Sequence, residues 1–564
     1  MKFSQIEYTR PDLDKISNEF TSLINLLKSA DSFESFENSM SKINVIRENF
    51  ESFQSLVHVR HSIDTKNEFY EGENKFFDKN SPKIAQLSNE FYKTIVESDF
   101  KSDLNNKYGN HFLNGIECSL KTFHESIMEL LGKENEVSSE YNSIIASAEV
   151  ELNGEKLTLS QLAPHATSVD RKLRKQSSDV ANDWFHEKGK ILDDNFHQLV
   201  QIRHEIAQKL GYKNFVELGY NRLGRTDYGA KEVKQFRDAV HEHIVPVVNK
   251  LRDRQKDRIG VDKLEYYDIG FQFKTGNPKP KGDPAFIIAN GKKMYSELSP
   301  ETKEFFEFMQ DNELMDLEAK PGKMAGGYCT YMPAFKSPYI FSNFNGTSGD
   351  IDVLTHEAGH AFQIFNSREQ PLPEYYWPTM EACEIHSMSM EFLTWNWMEL
   401  FFKEDTAKYK FSHLSSGLLF LPYGVAIDEF QHWIYENPTV TPVERNSKWL
   451  EIEAKYMPYK ANSSSEFIQT GRQWQRQGHL YRMPFYYIDY TLAQVCAYQF
   501  WKKSQDNFTS AWGQYLALCK LGGSDSFTGL LKQSNLEDPF NPTLLKEVST
   551  WVESYLETVD DTKF

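Results

Sequence analysis

The run Ser342-Asn-Phe-Asn-Gly-Thr-Ser-Gly-Asp-Ile-Asp352, continued by Val353-Leu-Thr-His356-Glu357-Ala-Gly-His360-Ala-Phe-Gln-Ile-Phe365, decides how this chain is read. Its first part is rich in turn and capping residues, and its second carries an apolar stripe of helical period. A helix is therefore expected to begin near Asp350 or Asp352. At about 100° per residue, His356 and His360 project from one face of that helix one turn apart, where both imidazoles can reach a single metal ion. Glu357 leaves on the flank of the same face, so its carboxylate can accept a proton from a water at the metal without being a ligand. With 16 His and 81 acidic residues in 564, the pattern H-E-x-x-H arises by chance roughly 0.07 times per chain, even counting every acidic residue as Glu. The spacing predicts zinc-assisted hydrolysis; an amphipathic helix with two exposed histidines is the competing reading.

A zinc hydrolase needs a third protein ligand. Metzincins place a further Gly and His after the motif, but those positions hold Gln363 and Asn366, which excludes that class. Thr379 to Leu393 contains Met, Glu, Ala and Leu without Gly or Pro and predicts a second helix. Glu381, Glu384, His386 and Glu391 are the candidates it offers. Glu384 and Glu391 are close to register, so if Glu384 binds the metal, Glu391 faces the same site and can orient a ligand histidine from behind. Glu381 is expected to face solvent. Helix geometry alone leaves the choice of ligand open.

The segment Glu384-Ile-His-Ser387-Met-Ser-Met-Glu391 has the form E-x-x-S-x-x-x-E. On this segment and the H-E-x-x-H motif together, the chain resembles the oligoendopeptidase F and thimet oligopeptidase family of zinc metallopeptidases, family M3, and among these the bacterial Pz-peptidase type. In that family the metal-binding Glu follows the second His by about 24 or 25 residues. The resemblance thus points to Glu384 as third ligand and to one zinc per chain on His356, His360 and Glu384. It runs from about Asn214 to near the C-terminus, with a weaker helical N-terminal part. It implies a mainly α fold with a zincin-type (gluzincin) core, a small β-sheet and a deep channel that admits oligopeptide substrates.

Downstream lies Gly478-His479-Leu-Tyr-Arg-Met-Pro-Phe-Tyr486-Tyr487-Ile-Asp-Tyr490. Peptide hydrolysis builds negative charge on the carbonyl oxygen, and fixed Tyr or His donors stabilise it. By resemblance His479, Tyr486 and Tyr490 take this role. Tyr487 competes, because the Gly-rich linker of thimet-type members is replaced here by Tyr-Arg-Met-Pro. In a chain with 28 Tyr, core packing is the alternative. Upstream, Gly326 to Thr330 and Ser337 to Gly346 predict two short strands, and an edge strand beside the motif helix could pair with an extended substrate backbone.

Composition bounds the rest. The net charge of −18 repels phosphate backbones, so nucleic acid is not an expected partner. No stretch predicts a membrane span; the longest apolar run, around Leu418 to Ile427, is short and broken. Five scattered cysteines (118, 329, 383, 496, 519) without C-x-x-C, and no signal-peptide core, suit a reducing cytoplasm. Residues 12–145 predict a series of long helices interrupted at Asn80-Ser-Pro82 and Leu131-Gly132. Asn153-Gly154 predicts a hairpin, placing a boundary between an N-terminal helical part, 1–147, and a catalytic region, 148–564. Helices resume over 170–254, where Arg171 to Lys175 is expected to be a solvated face; 276–284 is a loop by composition, and His432 is expected to be packed. The function expected is a metalloendopeptidase of short oligopeptides. A non-hydrolytic zinc-containing peptide-binding protein and an aminopeptidase-type metallohydrolase are the alternatives.

Overall fold

Helices dominate the computed structural model, which describes residues 1–564 apart from 321, 325, 461 and 462. Contacts divide the chain into two units. The first comprises Met1–Leu120, Pro280–Lys403 and Phe500–Leu536; the second comprises Lys121–Lys279, Glu404–Gln499 and Glu537–Phe564. Residues 121–147 therefore fold with the second unit, through the packing of helix Met128–Ala146 on helix Arg171–Lys209.

In the first unit, three long helices open the chain: Leu13–Lys28, Phe33–Ile63 and Glu68–Glu97. Their starts follow from capping chemistry, since Asp12, Ser32 and Asn67 each accept hydrogen bonds from backbone N–H groups of the first turn. Phe20, Ile24, Phe36, Ile43, Phe91 and Ile95 pack between them. The expected break at Asn80-Ser-Pro82 does not occur. The third helix runs through Pro82 because Phe77 and Ile84 are anchored with Phe50 and Val57, while Asn80 and Ser81 side chains donate to the carbonyls of Phe76 and Phe77. Leu131-Gly132 likewise lies inside a helix, Met128–Ala146 of the second unit, with Leu130 and Tyr141 buried.

The first unit also holds a three-stranded sheet. Strands β4 (Tyr328–Met332) and β5 (Ser337–Phe344) form where the sequence predicts two short strands; β5 pairs antiparallel with β4 and parallel with β3 (Met315–Glu318), which is too short and too polar to announce itself. The order β3-β5-β4 leaves β4 as an edge strand. Helix Phe33–Ile63 backs this sheet. Ser52 Oγ accepts from Ala334 N at 2.8 Å, Ser62 O accepts from Met324 N at 2.8 Å, and the rings of His58 and Tyr328 lie 5.2 Å apart.

The second unit contains the predicted hairpin, β1 (Val150–Leu152) and β2 (Glu155–Leu157), turned by Asn153 (φ 55°) and Gly154 (φ 86°). The 39-residue helix Arg171–Lys209 follows. Its basic start is a solvated face at Arg171, Lys172 and Lys175, as expected, but Arg174 is buried, and both Arg171 and Arg174 pair with the buried carboxylate of Asp268. A carboxylate excluded from water needs such partners. His432, on helix Thr406–Glu436, is packed as expected, bonded to Tyr220 OH at 3.0 Å and edge-on to the Phe485 ring at 4.9 Å. Among the described residues no helix is long and apolar enough to cross a membrane.

Candidate metal centre

The motif sits on helix Gly349–Ser367, whose start is fixed by Asp350: its carboxylate accepts from the backbone N–H groups of Asn345 and Gly346, both at 2.8 Å. This turn bends the chain out of β5 and sets the helix phase. A second helix, Met380–Leu393, packs across it. The two meet backbone to backbone at Gly359, where a Cβ would lie 2.6 Å from His386 O and 2.6 Å from Ser387 Cα. Only glycine permits that approach, a requirement the H-E-x-x-H pattern does not announce.

The approach brings three ligand-type atoms together. One atom each of His356, His360 and Glu384 lie within 4.8 Å of one another, the single such group among the described residues. Glu384 Oε2 is 3.3 Å from His356 Nε2 and 3.5 Å from His360 Nε2. The two imidazoles stand nearly perpendicular, at 83°, with ring centroids 5.0 Å apart. Behind them, Glu391 Oε1 accepts from His356 Nδ1 at 2.8 Å, which leaves Nε2 as the free coordinating nitrogen. Ser387 Oγ donates to Glu384 Oε2 at 3.0 Å and holds that carboxylate in place. Two imidazole nitrogens and one carboxylate oxygen, converging from two helices with an orienting partner for each type, fit a divalent zinc-like ion.

Electrostatics agree with that donor set. Glu384 is buried, which opposes its charge, yet His360 and His356 hold its carboxyl well below the usual carboxylate range. Burial likewise opposes the charged form of His356, but Glu384 and Glu391 outweigh it and raise its pKa well above the ordinary histidine value. Glu357 is 8% exposed, and burial raises its pKa. Its carboxylate lies beside the entry to β4, since a Cβ on Gly327 would come 3.8 Å from Glu357 Oε1.

The other candidates separate cleanly. Glu381 is buried, at 1% exposure, contrary to the solvent-facing position expected, because helix Met380–Leu393 is enclosed over almost its whole circumference. His386 joins no metal group; burial lowers its pKa to about 3, and its Nδ1 lies 3.6 Å from Cys519 Sγ. His479, Tyr486, Tyr487 and Tyr490 belong to the second unit, where they form one cluster. The tyrosine rings lie 5.1–5.8 Å from His479, and Tyr486 and Tyr490 lie 5.0 Å from each other. Gln477 Nε2 donates to His479 Nδ1 at 2.6 Å, so the neutral imidazole carries its proton on Nε2 and is itself a donor there. Tyr487 packs against Phe420 and Tyr423, and burial raises its pKa.

A mainly helical fold carrying this donor set defines a metalloendopeptidase of the zincin type. The chain belongs to peptidase family M3: the family's N-terminal domain matches residues 3–123, and peptidase family M3 itself matches residues 294–550. The family match thus takes in the N-terminal helices as well as the catalytic segment. Pz peptidase A, solved with an inhibitor, is 53% identical over 100% of both chains with a TM-score of 0.97. Oligopeptidase PepF of Bacillus subtilis (strain 168) is 21% identical over 95% of this chain and 82% of its own length. Oligoendopeptidase F from Enterococcus faecium shares the fold alone, at 15% identity over 98% of each chain with a TM-score of 0.61.

Proposed function

We propose that His356, His360 and Glu384 hold one zinc ion, and that Glu357 is the general base of an endopeptidase that cuts internal bonds of short oligopeptides. The observation that carries this reading is the convergence of the three donor atoms within 4.8 Å, with His356 oriented by Glu391. Zinc held there would supply a Lewis acid for the scissile carbonyl and for the attacking water. The remaining steps fall to the chain's own side chains. Glu357, kept from bulk water, accepts the proton of the attacking water and passes it to the leaving amine. The Nε2–H of His479 and the hydroxyls of Tyr486 and Tyr490 donate to the oxygen on which charge develops. Strand β4, as an edge, offers main-chain groups to an extended peptide, a mode indifferent to side chains. In this reading residues 148–564 carry the catalytic groups, a deep channel of the kind the family implies limits substrate length, and the enzyme works in the cytoplasm.

An internally quenched peptide blocked at both termini tests the reading. Cleavage at an internal bond, lost on chelation and restored by one equivalent of zinc, is the expected result. Cleavage only after the amino terminus is unblocked would make the protein an aminopeptidase; binding without cleavage would make it a peptide-binding protein.

A further inference from the structure

Phe485 has φ 69° and is the one aromatic residue with positive φ among the described residues. Left-handed backbone is disfavoured for a residue with a large side chain, and it persists only where the surroundings impose it. Three groups impose it here. Gln431 Oε1 accepts from Phe485 N at 2.7 Å, and Arg225 Nη2 donates to Phe485 O at 2.7 Å. The Phe485 ring lies against Gly219, where a Cβ would come 2.5 Å from Cδ2, so any side chain at 219 would push it out. The same Arg225 nitrogen also ion-pairs with Asp489, and both side chains are wholly excluded from solvent. Asp489 N in turn donates to Tyr486 O at 2.9 Å. One guanidinium therefore grips the residue before Tyr486 and the residue before Tyr490.

We propose that Arg225, Gln431 and Gly219 are positioning residues that force Phe485 into its left-handed turn and thereby aim the hydroxyls of Tyr486 and Tyr490. The proposal rests on the reading above, in which those hydroxyls serve the transition state. A relaxed turn at Phe485 would rotate Tyr486 relative to helix Tyr487–Leu521 and so misplace the pair as a unit. Glycine at 485 would adopt this backbone without strain. A phenylalanine is used instead, and its ring is the handle by which Gly219, Tyr220 and His432 hold the turn.

The test is a set of double-mutant cycles on the zinc-loaded enzyme, reading kcat, KM, zinc content and Tm. Gln431→Met, which removes the acceptor without adding charge, is expected to lower kcat roughly 10-fold with KM and zinc content unchanged. On a Tyr486→Phe or Tyr490→Phe background its effect is expected to shrink to about 2-fold or less, because the hydroxyl it positions is already gone. An equal loss on every background, or a fall in Tm with wild-type kcat, overturns the proposal. If Gln431→Met does not fold, Arg225→Lys, which keeps a positive charge beside Asp489 but replaces the planar guanidinium by an ammonium on a shorter side chain, replaces it in the same cycles. Should both Tyr→Phe variants turn over normally, the reading of the cluster fails and this proposal falls with it. Should one of them be impaired while Gln431→Met and Gly219→Ala keep wild-type kcat, the proposal alone fails.

Discussion

Glu357 and Glu391 are both acidic residues at the metal centre, yet their surroundings give them different work. Glu357 is buried with its pKa raised by burial, whereas Glu391 is committed to His356 Nδ1. Glu357→Gln keeps the shape but cannot take a proton, so turnover should fall by about 10²–10⁴-fold while zinc content and Tm stay at wild-type values. Kinetics and metal analysis on one preparation check this, and near-normal turnover would assign the base elsewhere. Glu391→Ala should act on the metal instead. Freed of its partner, the His356 ring loses its fixed orientation, and zinc affinity should drop by about 10–100-fold, measured by chelator competition. Proton competition gives a third outcome. In the metal-free protein the pKa of His356 is raised, so this ring stays protonated to higher pH and must release its proton when zinc binds. Apparent zinc affinity should therefore climb as pH rises through the His356 pKa and flatten above it. Titrations in buffers of different ionisation enthalpy would report the released proton directly, and a pH-independent affinity would contradict the assigned donor set.

At the scale of elements, the decisive contact is between helices Gly349–Ser367 and Met380–Leu393 at Gly359. Gly359→Ala adds one methyl group where 2.6 Å is available, so the helices must part or tilt. Overpacking of this kind typically costs about 1–3 kcal/mol. Because Glu384 rides on the displaced helix, zinc affinity should fall along with Tm, whereas Ala358→Gly, next door, should cost stability without a comparable loss of metal. Differential scanning with and without added zinc separates the two. This contact shows where sequence reading stops. The helical stripe and the H-E-x-x-H spacing made the motif helix legible, because both are local periodicities. Spacing within the second helix left Glu381, Glu384, His386 and Glu391 open, and only resemblance pointed to Glu384; which face of that helix meets the motif is a tertiary fact. For the same reason Glu381 was expected in solvent and lies buried, Arg174 turned inward to Asp268, and Pro82 failed to end its helix. Packing overrode local preference each time. The hairpin at Asn153-Gly154 was legible because the turn chemistry itself demands positive φ.

At the scale of the whole molecule, the unit bearing the metal centre is assembled from three separate stretches of chain. Residues 1–120 form one unit with 280–403 and 500–536, so the N-terminal helices are structurally part of the platform under the motif. The links are specific. Helix Phe33–Ile63 holds the turn after β4 through Ser52 and the approach to β4 through Ser62; Thr65 N donates to Gly322 O at 2.8 Å; and the Phe3 ring packs, tilted, 4.5 Å from that of Tyr339 of β5. Removing residues 1–147 would strip that backing from the sheet and expose β5 positions that are now buried along almost the entire strand. It would also take helix Met128–Ala146 from the second unit, where Glu134 neutralises the buried Arg203, and an unpaired buried charge of that kind costs about 3–5 kcal/mol. A chain of residues 148–564 should therefore fail to bind zinc stoichiometrically and should show no cooperative thermal transition, even though it contains every ligand and every proposed catalytic side chain. Supplying residues 1–147 as a separate polypeptide should restore part of both properties, since the contacts are non-covalent. Calorimetry and metal content of the truncated chain, alone and with the fragment added, decide the matter: a truncated chain that melts cooperatively and holds one zinc would show that the sequence boundary at 147/148 is also a folding boundary.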